Sequence, residues 1–218
     1  MENTQPLVEG IDTLAPLRAI EAWALDEQSL ADATATLTTL EAHWLLARGR
    51  VCHARFIVDH IVREDELVTF ERALKLCLET ADLRGAAEAE FWIGTFYQTA
   101  RSDEDAALPH LHRAAELAKQ VDDPLILSAV ERHLAFHAAI VGNMETAEAH
   151  MVTSVNMRRD IGFMAGVASN LVAWAELVAE AGQPDRASDL LDEAASVAAS
   201  AGAKGILPVI DDMRHRIR

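Results

Sequence analysis

The sequence predicts an all-α fold made of successive pairs of antiparallel helices, and three observations lead to this prediction. The 218 residues are 50% apolar but only 5% aromatic, with 6 prolines and 10 glycines, a composition untypical of all-β domains. A pattern of small residues returns after 40 positions. Capping and turn residues separate stretches in which apolar side chains recur at helical spacing, and no stretch alternates like a strand.

The repeat emerges when residues 128–165 are aligned with residues 168–205. The five identical pairs are all alanine or glycine: Ala135 and Ala175, Ala139 and Ala179, Gly142 and Gly182, Ala147 and Ala187, Gly162 and Gly202. Small residues are needed where two helices approach closely and where the chain turns out of a helix. A copy around residues 87–120 and a weaker one before it follow the same pattern, so each copy is interpreted as two helices with short turns.

Helix boundaries follow from the capping residues. Ser102 and Asp123 are predicted N-caps, Pro124 and Pro184 occupy first helical positions, and Gly142 and Gly182 end helices. The predicted helices are 37–60, 64–80, 84–100, 103–120, 125–141, 144–159, 166–181 and 184–200. Residues 1–36 form a predicted N-terminal helical extension, with one helix around Leu17 and a second capped by Ser29. Residues 37–205 form the repeats, and residues 206–218 a C-terminal capping helix.

Charge and composition exclude several classes of protein. The chain has 35 acidic and 19 basic residues and a net charge of −16, which argues against direct nucleic-acid binding and against docking on an anionic membrane. The N-terminus has no basic, apolar leader pattern, and no apolar run is long enough to cross a bilayer. Cys52 and Cys77 lie within helical patterns, which predicts two buried thiols in a reducing cytoplasm.

No motif in the sequence indicates catalysis. The glycines are dispersed, so there is no phosphate-binding loop, and no nucleophile motif is found. His133 and His137 are four residues apart, a spacing that suits a metal, but the residues between them lack the glutamate of the metalloprotease pattern. We therefore expect no enzyme activity, metal or cofactor, and keep a helical metalloprotein centred on these histidines as the minor alternative.

The small-residue positions, the run Ile93-Gly94-Thr95-Phe96-Tyr97 and the later Ala107, Leu111 and Ala114 resemble the tetratricopeptide repeat. The 40-residue period resembles its long variety, found in bacterial MalT-like regulators and in scaffold proteins. The resemblance covers about residues 45–205. It implies a right-handed superhelical solenoid of about four helix pairs, with a concave groove lined by the first helix of each pair.

The resemblance also indicates which residues line that groove. The family's groove positions fall on ten residues of this chain: Arg48, Arg55, Phe91, Thr95, Gln98, Arg132, Phe136, Val172, Glu176 and Glu180. Arginine can hold a carboxylate with two hydrogen bonds, and an aromatic ring can anchor an apolar side chain. We expect a groove that is basic in its N-terminal half and acidic in its C-terminal half.

Two functions compatible with this fold are kept. The first is a non-catalytic module or scaffold that binds another protein or a peptide segment in the groove. The second is a regulatory protein that senses an effector, as the likeness to MalT-like regulators implies. Association of two copies through residues 1–36 or through the ends of the solenoid stays open.

Overall fold

The computed structural model describes residue 23 and residues 26–217. Nine α-helices and no strand are found among these residues, which confirms the predicted all-α class. The helices are, in chain order, α1 (Glu27–Asp59), α2 (Glu64–Glu79), α3 (Leu83–Phe96), α4 (Glu104–Gln120), α5 (Pro124–Ile140), α6 (Met144–Asp160), α7 (Met164–Glu180), α8 (Pro184–Ser200) and α9 (Leu207–Arg216). A π-helical turn, Tyr97–Arg101, continues α3, and a 3₁₀ turn, Lys204–Ile206, precedes α9. None of the helices in the described residues is both long and apolar enough to cross a membrane.

The first helix differs most from the prediction. α1 is continuous from Glu27 to Asp59, so the expected helix start at residue 37 was wrong and lies inside this helix. Asp26 is the N-cap, because its carboxylate accepts a hydrogen bond from the Ser29 backbone N–H at 2.9 Å. Ser29 therefore lies in the first turn of α1 and does not cap a separate helix. The helix predicted around Leu17 lies outside the described residues.

Two of the predicted caps have different outcomes. The Asp123 carboxylate accepts a hydrogen bond from the Ile126 N–H at 2.9 Å, which confirms it as the N-cap of α5. Ser102 was predicted to cap α4, but it has a positive φ of 52° and ends the preceding π-helical turn. The neighbouring Asp103 caps α4 and accepts from the Ala106 N–H at 3.0 Å. Both residue types can cap a helix, and only the backbone conformation distinguishes them.

Residues in the left-handed conformation end most of the helices. Those of the repeat turns are Ala81, Ser102, Asp122, Gly142, Gly162, Gly182 and Gly202. At Gly142 the next N–H, that of Asn143, returns to the carbonyl of Ala138 at 2.8 Å, the bond of a Schellman cap. From α4 to α8 every helix has 17 residues, so a turn recurs every 20 residues.

The helices form two layers. Each odd-numbered helix packs against the next odd-numbered helix, from α1 through α9, as well as against its neighbours in the chain. In the described residues the even-numbered helices make no comparable contact with one another. The odd-numbered helices are therefore the closer layer, and the stack is concave on their side.

Small residues allow the layers to approach. Ala135 and Ala175, which coincide in the 40-residue alignment, are both 0% exposed. A Cβ at Gly94 of α3 would lie 2.9 Å from Leu111 Cγ of α4 and 3.2 Å from the Ala107 carbonyl oxygen. The predicted role of these positions in close packing is thus confirmed.

Candidate binding groove

Three neighbouring cavities lie along the odd-numbered helices, and we call them together the groove. The first, of about 370 Å³, lies between α1, α3 and α5 and is called the aromatic cavity. The second, about 220 Å³, lies between α5, α7 and the α9 region, and the third, about 450 Å³, between α5 and α7. Arg132, Phe136 and Glu176 each line two of the three, so each cavity adjoins the next.

The structure brings seven of the ten predicted groove residues to these cavities. They are Phe91, Thr95, Arg132, Phe136, Val172, Glu176 and Glu180. They come from α3, α5 and α7, the first helices of successive pairs. Binding of a partner by these residues stays a prediction.

Gln98 has a different position. It lies in the π-helical turn after α3 and is buried. Its side-chain N–H group donates to the His133 carbonyl at 3.1 Å, and its Oε1 lies 2.6 Å from His133 Nδ1. Both ends of the amide are thus used to join α3 to α5, and Gln98 supports the cavity wall.

Arg48 and Arg55 line none of the three cavities. Both are exposed on α1, and the Arg48 guanidinium lies over the Trp44 ring at 5.4 Å. The α1 residues that line the aromatic cavity are His53 and Ile57. Arg55 is two residues from His53 and two from Ile57, a rotation of about 200° around the helix. It therefore points away from the face of α1 that carries these two residues.

Two arginines form the cationic part of the aromatic cavity. The Arg132 guanidinium lies 5.4 Å from the Phe136 ring centre and donates from Nη1 to Ser169 Oγ at 3.1 Å. Arg158 of α6 is 7% exposed and donates from Nη1 to the Gly166 carbonyl at 2.9 Å. Among the described residues neither arginine has a carboxylate within ion-pair distance.

Burial changes the acid–base properties of these groups. It lowers the pKa of Arg132, and it lowers the pKa of Arg158 to about 10, with the charge of Arg132 as a smaller cause. Burial and then the charge of Arg132 lower the pKa of His133 to about 3. At neutral pH the cavity therefore holds two guanidinium cations and a neutral imidazole.

The two histidines of the metal alternative are held by different partners. His133 Nδ1 lies 2.6 Å from Gln98 Oε1, and His137 Nδ1 lies 2.9 Å from Glu104 Oε2. Over residues 26–217 no three His, Cys, Asp or Glu side chains come together in a group suited to a metal. This geometry gives the metalloprotein alternative no support.

Sequence reasoning missed Arg158, although a signal for it was present. Ala118 and Ala198 lie 40 residues before and after it, and both are 0% exposed. An arginine therefore stands where the other copies have a buried alanine. A charge at a core position of one repeat departs from the pattern of the other copies, and here its Nε and Nη1 groups donate to Ser128 Oγ at 3.2 Å and to the Gly166 carbonyl at 2.9 Å.

The chain was compared with known proteins. No protein-family model matches it, and no curated protein matches it. The helical packing and the groove are therefore the features that indicate a function.

Proposed function

We propose that the chain is a tetratricopeptide-like helical repeat protein that binds another protein, through an extended or helical segment, in the groove. The observation that carries the proposal is the row of adjoining cavities along α3, α5 and α7. Concave surfaces of helical repeats are suited to extended ligands because each repeat adds one strip of side chains. The repeat pattern in the sequence supports the same assignment.

The side chains of the groove indicate the chemistry of the partner segment. Arg132 and Phe136 lie at its centre, where they suit an acidic group next to an apolar one. Glu180 is exposed at the end of α7 and suits a basic group. Glu176 is already paired with Arg216 of α9 at 3.2 Å, so it contributes less charge. The partner segment therefore carries acidic, apolar and basic groups in this order.

Sensing of an effector is the second candidate, and one observation favours it. The aromatic cavity combines the buried guanidinium of Arg158 and the half-buried one of Arg132 with aromatic walls, which is a common composition for a small-ligand site. We propose no catalytic role for either function.

Partner binding is tested by capture from a lysate of the native host followed by mass spectrometry. Wild type is compared with Glu180→Lys in the groove and with Arg55→Glu, a charge reversal at an exposed residue outside it. We expect a protein that wild type and Arg55→Glu recover equally and that Glu180→Lys recovers at least fivefold less. Equal recovery by all three proteins, or no specific protein with any, would contradict groove binding.

A further inference from the structure

We propose that the aromatic cavity binds a carboxylate joined to an apolar group about as large as a phenyl ring. The carboxylate comes either from a small free acid or from the end of a peptide, since both present the same chemistry. The inference names the occupant of one part of the groove of the proposed function. It does not depend on a protein partner, because a free acid can bind alone.

The first support is the state of the arginines in a strongly acidic chain. Ten arginines of the described part form ion pairs with carboxylates, most of them at the surface. Four arginines form none within the same residues: Arg48 and Arg55, which are exposed, and Arg132 and Arg158, which are half-buried and buried. The charge of Glu176 acts on Arg132 from beyond ion-pair distance. A buried charge without an opposite partner is unfavourable, and two like charges on one cavity wall are more so. An anion in the cavity removes this cost.

The second support is a set of hydrogen-bond donors without acceptors in the described residues. Arg132 Nε is buried and bonds to none of them. Thr95 is 2% exposed, lines the same cavity, and its hydroxyl has no partner there either. Buried polar groups are nearly always paired, so two such groups on one cavity point to an absent acceptor. A carboxylate offers several acceptor sites.

The walls of the cavity specify the rest of the ligand. Phe91, Trp92 and Phe136 supply aromatic surface. The His53 imidazole lies 2.8 Å from Glu66 Oε1 and is occupied by that contact. A volume of about 370 Å³ is at the low end for small-molecule sites, which suits a ligand with one ring.

The test uses the full chain and isothermal titration calorimetry. The probes are 3-phenylpropionate, its neutral amide, and the tripeptide acetyl-Ala-Ala-Phe with either a free or an amidated C-terminus. We expect each acid to bind at least tenfold more tightly than its amide, because the amide cannot pair with the guanidiniums. Binding of the free acid but not the tripeptide assigns a small-molecule site, and tighter binding of the tripeptide assigns a peptide terminus.

A pair of matched variants tests the role of Arg132 in binding the carboxylate. Arg132→Met removes one guanidinium from the cavity, and Arg48→Met removes one from over Trp44 at the same 5.4 Å separation. We expect Arg132→Met to lose at least tenfold in affinity and Arg48→Met to bind as wild type does. The melting temperature without ligand should not fall in Arg132→Met, which separates lost binding from lost folding. Equal affinity of acids and amides, absence of binding, or unchanged binding by Arg132→Met would overturn the proposal.

A second and independent observation concerns α1. Five exposed apolar residues recur on it every seven positions, and we call them the α1 seam: Leu30, Leu37, Trp44, Val51 and Val58. Their exposed fractions run from 42% to 82%. Three positions after Trp44 and Val51 lie Ala47 and Ala54, which are exposed and small and allow a second helix to come close. An apolar seven-residue repeat is the pattern of paired helices.

We infer that the α1 seam pairs with that of a second copy in antiparallel orientation. The seam spans 28 residues, or about 42 Å of helix. An antiparallel pair centred on Trp44 places Glu41 of one copy, which also pairs with Arg72 of its own chain at 3.2 Å, near Arg48 of the other, twice by symmetry. A parallel pair would instead place Arg50, which pairs with Glu88 at 3.0 Å, near Arg55. Arg48 has no carboxylate partner among the described residues, so charge complementarity favours the antiparallel dimer.

Sedimentation equilibrium between about 5 and 100 µM tests this dimer against the 23.8 kDa chain mass. We expect wild type at twice this mass and Val51→Glu as a monomer. The control Val152→Glu, at another exposed valine, should stay dimeric. Arg48→Glu should weaken the dimer and Glu41→Arg with Arg48→Glu should restore it. A monomeric wild type, or a dimer unaffected by Val51→Glu, would overturn the inference.

Discussion

At the scale of single residues, the role of a side chain depends on the groups that surround it. Arg132 and Arg48 each lie over an aromatic ring of their own helix, yet only Arg132 lines the groove. The same holds for the thiols that the sequence predicted to be buried. Both are buried and free, and burial raises the pKa of Cys77 to about 12, which keeps it protonated and unreactive.

His133 should make stability depend on pH. In the unfolded chain it takes up a proton near pH 6.5, whereas in the folded protein its pKa is about 3. Folding is therefore weakened as the pH falls below about 6.5, by up to about 1.4 kcal/mol per pH unit until pH 3 is approached. Urea unfolding at pH 7 and pH 5 measures this. His133→Gln should show a smaller loss than wild type, and an equal loss in both would contradict the assignment.

Gly94 should not tolerate a larger residue. In Gly94→Ala the new methyl group meets Leu111 and a backbone carbonyl oxygen of α4, which cannot move easily. We expect a loss of about 1–3 kcal/mol in the free energy of unfolding. Gly205→Ala is the control, because its Cβ would have nothing within 4 Å. Denaturant unfolding of the two variants measures the difference, and similar stabilities would show that α3 and α4 are farther apart.

At the scale of the helix and turn, the stability of the repeat depends on the left-handed position. A residue with a Cβ is strained there, and glycine is not. Ala81 has φ of 55° and Gly142 has φ of 79°. The 20-residue spacing of these turns is already visible in the sequence, where Gly142, Gly162, Gly182 and Gly202 follow one another at this interval.

Substitutions at two of these turns test how much the left-handed position contributes to stability. Ala81→Gly should raise the free energy of unfolding by about 0.5–1 kcal/mol, and Gly142→Ala should lower it by about 1 kcal/mol or more. A Cβ at Gly142 would contact nothing within 4 Å, so only the backbone conformation can cause the loss. Thermal unfolding compares both variants with wild type. A shift of the same sign in both would contradict the explanation.

The start of α1, at Glu27 and not at residue 37, is also decided within the helix itself. Threonine is a weak helix former, residues 34–39 contain four threonines, and the expected start at residue 37 falls among them. In the structure the Thr34 and Thr38 hydroxyls donate to carbonyls four residues earlier, at 2.8 and 2.9 Å. Their polar groups are thus satisfied within the helix. The cap at Asp26 then sets the helix start.

At the scale of the whole molecule, the contacts are mostly between neighbouring helices. Such a stack has no contact that closes its two ends together, so its ends are less stable than its middle. Among the described helices α9 packs mainly on α7 and α8, whereas α5 packs on α3, α4, α6 and α7. The central helices carry the aromatic cavity and should hold it rigid.

Hydrogen exchange followed by mass spectrometry measures this gradient. We expect amides of α9 to exchange at least tenfold faster than those of α5, because α9 opens without disturbing the rest of the stack. A saturating carboxylate ligand should slow exchange in α3 and α5 and leave α9 unchanged. Uniform protection from α1 to α9 would instead indicate one cooperative unit.

The sequence alone determined the all-α class, the helices from α2 to α8 to within a few residues, and the packing role of the small residues. These features depend on local spacing and capping, which are properties of neighbouring residues. The resemblance to the tetratricopeptide repeat also indicated seven residues that line the cavities. The tertiary structure alone decided the rest. It placed Arg158 beside Arg132 and turned Arg48 and Arg55 away, because the side that a helix presents depends on the helices packed against it.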